Sequence, residues 1–201
     1  MALKRVLLFA TLGILLTLPL QGHPHEWVDW GVGLVLDEKK PVKVVSALLE
    51  LTWDEWFSSL VLMDFPGVAT NKLGAADLSQ LDTVYGLASS QRQISLLVWY
   101  QGQSVKVKPV MQAPRTNGKT VTLVYSLSLG LKVDRPGALR VSVYDPSYYT
   151  DMGIRAKSGA FFRGVKDPAV YSGSTSFEQD FNHPYYGGAV FPEVVVFSLK
   201  P

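Results

Sequence analysis

Hydrophobic and polar residues follow two periods along this chain. From His25 to Asp37 side-chain character alternates, with Trp27, Val32, Leu34 and Leu36 among the apolar positions, as expected for a strand with one face on a core. Asp37-Glu38-Lys39-Lys40-Pro41 is a polar turn, and Val42 to Leu51 reads as the returning strand of a hairpin. At Thr52 the period changes. Thr52 followed three residues later by Glu55 matches a capping box, and Trp56, Leu60 and Met63 recur at helical spacing, which predicts a helix over 53–63. Pro66, Gly67 and Gly74 break it, and Leu78, Leu81 and Tyr85 mark one face of a second helix over 75–88. Strands resume at 94–100 and 105–111. Asn117-Gly118 is a hairpin signal ahead of 120–129, and 139–144 and 193–199 complete the β pattern. The stretch after Tyr149 is rich in Gly, Ser, Tyr and Pro and carries no clear period. There is no internal repeat and no interdomain linker. These elements predict an α+β fold: an antiparallel β-sheet or sandwich-like core with a pair of helices at 53–88 inserted between strands.

The N-terminus has a different character. Lys4 and Arg5 precede an uncharged, Leu-rich run of 15 residues from Val6 to Leu20, and Gly22 offers a small residue at which to cut. This is the layout of a secretory signal peptide, and the run is short for a spanning helix, which needs about 20 residues. The expected organisation is a signal peptide at 1–22, a single domain over 23–201, and export to the periplasm. Removing Lys4 and Arg5 reduces the 19 basic residues to 17, equal to the 17 acidic ones. The formal charge of +2 thus belongs to the export segment, and the remainder has no basic run that suits nucleic acid. The chain has no cysteine, which excludes disulfides, thiolate metal centres and thiol nucleophiles.

A metal site in such a chain is built from imidazole, carboxylate or a free amine. The three histidines are His23, His25 and His183. In His23-Pro24-His25-Glu26-Trp27-Val28-Asp29, residues of equal parity share one face of an extended strand, so His23, His25 and Asp29 project together with Trp27 beside them. Two imidazoles and a carboxylate suit zinc, nickel or copper, and cleavage after Gly22 would add the amine of His23. The alternative is a solvated pair of histidines at a frayed terminus. His183 stands alone in an aromatic loop. Asp145, in Tyr144-Asp145-Pro146-Ser147-Tyr148-Tyr149 at a strand end, is read as a turn carboxylate accepting backbone amides, or as an acidic ligand or the acceptor that orients a metal-bound imidazole. Asp54 and Glu55 are explained by the helix start. No Gly-x-Ser-x-Gly elbow, phosphate loop or HExxH motif is present, and an enzyme is not expected.

His-Pro-His-x-Trp-Val-Asp after the export signal, Leu51-Thr52-Trp53-Asp54-Glu55-Trp56-Phe57-Ser58, and Tyr144-Asp145-Pro146-Ser147-Tyr148-Tyr149, in that order, resemble the DUF1007 family of secreted bacterial proteins. The resemblance covers His23 to about Thr150. It implies a periplasmic component of an ABC-type transport system, near nickel/cobalt-type efflux permeases, and places His23, His25 and Asp29 on the first motif and Asp145, Tyr148 and Tyr149 on the third. Relatives carry an Asp-rich, calcium-loop-like segment between the helices, whereas Asp64 to Lys72 lacks the alternating acids such a loop needs. The tail after Thr150 also departs from the relatives. The leading expectation is a periplasmic accessory protein that binds a transition metal ion (zinc, nickel or copper) through His23, His25, Asp29 and Asp145, working with a membrane metal transporter. The alternative is a metal-free module that docks on a transporter through its aromatic loops. A copper oxidase-like enzyme with an N-terminal histidine brace is a third.

Overall fold

The computed structural model describes residues 25–37, 42–155, 159–163 and 173–201. The expected signal peptide, His23 and the centre of the polar turn at 38–41 lie outside them.

The first hairpin forms as the alternation requires. β1 (Glu26–Asp37) and β2 (Lys43–Trp53) pair antiparallel, with Val28 opposite Trp53 and Val32 opposite Leu49. Two helices and a single turn follow: α1 (Glu55–Asp64), α2 (Gly67–Thr70) and α3 (Ala75–Tyr85). The rest is β: β3 (Ser95–Tyr100), β4 (Gln103–Ser104), β5 (Pro109–Met111), β6 (Arg115–Thr116), β7 (Val121–Lys132), β8 (Gly137–Tyr144), β9 (Thr150–Ile154), β10 (Ala160–Arg163), β11 (Ser174–Gln179) and β12 (Glu193–Leu199).

Seven strands form one sheet in the order β10-β1-β2-β7-β5, with β9 also on β1 and β6 also on β7; five form a second, β11-β12-β8-β3-β4. Strands hold 49% of the described residues and helices 16%. The fold is therefore mainly β, and the α+β expectation overweighted the helical interval. The inner faces of both sheets meet in one core that includes Trp30, Leu34, Leu49, Tyr125, Val141 and Phe197. Phe162 meets Phe197 edge-on at 5.3 Å between ring centroids.

Three further departures from the sequence reading have local causes. β2 runs on through Trp53, so Thr52 is a strand residue whose hydroxyl pairs with that of Thr122 at 2.9 Å. The N-cap is instead Asp54, whose Oδ1 accepts from Phe57 N at 2.7 Å. The hairpin expected at Asn117-Gly118 forms between β6 and β7, but around a four-residue loop, in which Gly118 has a φ of 88° and Asn117 Oδ1 accepts from the amides of Lys119 and Thr120. The expected strand at 105–111 reduces to the three residues of β5. Conversely, β9, β10 and β11 form within the stretch that showed no period. β9 and β10 pair parallel with successive parts of one edge of β1. Phe161 of β10 covers Gly33, where an added Cβ would run into the ring; glycine there lets the aromatic side chain approach the β1 backbone closely.

Candidate functional site

The parity argument holds over the described part of the N-terminal motif. Trp27 and Asp29 are exposed on the outer face of β1, while Glu26, Val28 and Trp30 are buried on the inner one. His25, also exposed, immediately precedes the strand. Its amide donates to Tyr149 O at 2.9 Å, and its ring lies 5.0 Å from that of Tyr149.

The Tyr149 position is set by Asp145. This carboxylate is fully buried. Oδ1 accepts from Ser147 N at 2.8 Å and Ser147 Oγ at 2.6 Å, and Oδ2 accepts from Thr150 N at 3.0 Å. Tyr148 N donates to Asp145 O, completing the turn. The first and third sequence motifs therefore meet, but through the Tyr149 backbone and ring. Asp145 takes the turn-forming role, with both oxygens engaged beneath the loop.

His25, Trp27, Asp54, Glu55 and Trp56 line an open pocket, which continues into a second bounded by Trp27, Asp29, Thr52 and Thr120. Asp54 joins the two elements beside it: Oδ1 caps α1 and Oδ2 accepts from Trp27 N at 3.2 Å. Asp29 thus lies on the same groove as His25, one turn of the pleat beyond Trp27. Trp27 is 55% and Trp56 65% exposed, so the groove presents two large aromatic faces beside its acids. Among the described residues no three His, Asp or Glu side chains converge on one point where they could hold a metal ion. His25 and Asp29 by themselves thus make only part of a transition-metal donor set. His183 is held locally, with Nδ1 2.7 Å from Asp180 Oδ2 and its ring 5.7 Å from that of Trp99.

Two groups near the site escaped the sequence reading. Asp151 stands opposite Trp27 in the β1–β9 pairing. Burial raises its carboxyl above the ordinary aspartate value of 3.8, partly offset by a hydrogen bond from the Met152 amide. Burial likewise raises the phenols of Tyr148 and Tyr185, and the Asp151 charge pushes both further in the same direction. Because Asp151 binds its proton more tightly folded than unfolded, stability falls as pH rises through its unfolded and then its raised folded pKa; above both, the full cost remains. Asp151→Asn is accordingly expected to raise the melting temperature at neutral pH and to flatten the pH dependence above the ordinary aspartate range, as read from thermal unfolding at stepped pH. A lower melting temperature at neutral pH would contradict this.

The second is Glu26, whose inward parity beside Val28 and Trp30 was a legible signal: a carboxylate facing the core requires a partner. The partner is Arg92, from the loop between α3 and β3. Nε and Nη2 of Arg92 donate to the two Glu26 oxygens at 2.8 and 2.7 Å, and Nη1 donates to Val84 O at 2.6 Å. Thr150 Oγ1 adds a hydrogen bond to Glu26 Oε2 at 3.1 Å. The guanidinium also packs on Phe57, Trp53 and Tyr85, 4.7, 5.4 and 5.7 Å from their ring centroids. Tyr85 donates to Asp64 at 2.5 Å, and burial, with the Asp64 carboxylate next, raises its phenol to about 12. This pair ties β1, the helices and the Asp145 loop together immediately beneath the groove.

No curated protein matches the chain. A family model described as "Protein of unknown function (DUF1007)" matches residues 8–171. That span includes β1, the helices and the Asp145 turn, and the chain belongs to the DUF1007 family.

Proposed function

We propose that this protein is an exported accessory protein of transition-metal transport, binding a zinc, nickel or copper ion at the His25 end of the groove. His23 and His25 are the proposed imidazole ligands, and Asp29 is a carboxylate further along the same face of the strand. The observation that carries this reading is the placement of His25 and Asp29 on one exposed face, open to a groove with two further acids, Asp54 and Glu55. Asp145 serves this site by fixing Tyr149 against His25. Imidazole and carboxylate donors suit borderline divalent ions, and the role is binding and hand-over to a membrane transporter, with the protein exported to the periplasm. Among the described residues no helix is long and apolar enough to cross a membrane.

Calorimetric titration of the protein, cleaved after Gly22, with zinc, nickel and copper tests the proposal. One of these ions is expected to bind at a single site, and the His23→Ala/His25→Ala variant is expected to lose more than the roughly 10–100-fold that removal of an outer-shell partner costs. Unchanged affinity would reject it. A second reading, a metal-free docking module, draws on the exposure of Trp27, Trp56 and Tyr149, since large aromatic residues anchor protein interfaces. Retrieval of the same membrane partner by chelator-treated protein would favour that reading.

A further inference from the structure

The groove continues beyond Asp29 into a polar cavity of about 380 Å³ that shares Thr52 and Thr120 with it. Its centre is Glu50 on β2. Two arginines reach Glu50 over one face of the sheet, from strands on either side of β2. Arg115 comes from β6, across β7, and Nη2 donates to Glu50 Oε1. Arg155 follows β9, where its amide bonds to Trp30 O, and crosses β1 at the level of Gly31, the residue paired with Glu50. Its Nη1 lies 3.9 Å from Glu50 Oε2, and Nη2 donates to Thr52 Oγ1. Thr52 in turn pairs with Thr122.

This arrangement is layered. The Glu50 side chain is only 13% exposed, whereas those of Arg115 and Arg155 are 55% and 37% exposed. One carboxylate therefore lies beneath two guanidiniums, leaving a surplus of one positive charge at the mouth. Each guanidinium carries five N–H donors in a planar fork. Among the described residues, Nε of both arginines and Nη1 of Arg115 have no hydrogen-bond partner. Glu50 already shows what the two forks accept together: a carboxylate.

The geometry points to a binding site for a small carboxylate at this end of the groove, gripped by Arg115 and Arg155, with Thr52 and Thr122 as hydroxyl partners and Glu50 as the internal competitor that keeps the arginines in place. A carboxylate suits the site because a guanidinium fork can take it bidentately and because its negative charge meets the surplus positive charge. The inference rests on the arginines and is independent of the metal reading, so its test is run on protein stripped of metal and then freed of the chelator, which itself carries competing carboxylates.

The probe is succinate, titrated into the full chain in low-salt buffer, with inorganic phosphate and neutral dimethyl succinate as comparison arms. Saturable succinate binding in the range of about 0.1–1 mM is expected, with no binding of the diester. Arg115→Gln and Arg155→Gln are each expected to weaken it roughly tenfold or more, since each removes charge-assisted hydrogen bonds, while circular dichroism stays unchanged. Glu50→Gln, which removes the competing charge and keeps an acceptor for the guanidiniums, is expected to tighten binding several-fold. Absence of saturable succinate binding overturns the proposal. So do tighter binding of phosphate, full retention of affinity in both arginine variants, and an unchanged or weaker affinity in Glu50→Gln.

Discussion

Arg92→Met is expected to lower the free energy of unfolding by about 3–5 kcal/mol, the usual cost of breaking a buried ion pair by removing one partner. Methionine keeps much of the aliphatic volume, so the loss arises mainly from Glu26, which is 3% exposed and would keep only the Thr150 hydroxyl as a hydrogen-bond partner. The three rings around the guanidinium also lose their cation contact, worth about 0.5–2 kcal/mol when desolvated. For a domain whose total stability is about 5–15 kcal/mol, this is a large share. Urea unfolding of Arg92→Met, Glu26→Met and the double variant measures it. The double variant is expected to be less destabilised than the sum of the singles, because apolar replacement of both charges removes the desolvation penalty along with the attraction. Additive losses, or a single-variant loss below about 1 kcal/mol, would show that the pair is not the tie we describe.

Asp145→Ala is expected to cost about 3 kcal/mol: a carboxylate hydrogen bond contributes about 1.5–3 kcal/mol, and the orphaned amide of Thr150, itself buried, adds a desolvation penalty. The loss is expected at full size in chelator-treated protein, because it comes from the turn. Asp145→Asn is expected to lose less, since its side-chain carbonyl, placed where Oδ1 stands, still accepts the two bonds from Ser147. A cost that appears only in the metal-loaded protein would instead make Asp145 a ligand. The same substitution frees Tyr149 from beneath His25, so a fall in metal affinity alongside the stability loss is consistent with positioning, and the metal-free measurement separates the two roles.

Glu26 and Asp145 also show where the sequence is readable and where it is not. The alternation around His25-Glu26-Trp27 places His25, Trp27 and Asp29 on one face, because a strand has a period of two regardless of what it packs against; that this face is the exposed one is set by the packing. The same alternation puts Glu26 on the opposite face, but its partner is 66 residues away in an aperiodic loop, and no local pattern names it. Thr52 was misread as a cap because a capping box is a local signal, whereas the end of β2 is decided by pairing with Thr122 across the sheet. Similarly, β9 and β10 have little strand character of their own. They become strands because the free edge of β1 supplies their hydrogen bonds.

Local pattern, then, was enough to determine the first hairpin, the helical interval, the last strand, the shared face carrying His25 and Asp29, the family, and the absence of thiol chemistry. Each depends on neighbours in the chain: side-chain parity, breaker residues, composition and ordered motifs. The groove, the ion pair beneath it, the Tyr149 support for His25 and the two arginines over Glu50 were decided only in three dimensions. Arg115 and Arg155 are 40 residues apart and separated in space by three strands, and nothing in their local sequence distinguishes them from other surface arginines. They converge because β6 and β9 lie on opposite sides of the β1–β2–β7 triplet, and that order is a property of the sheet, not of any segment within it.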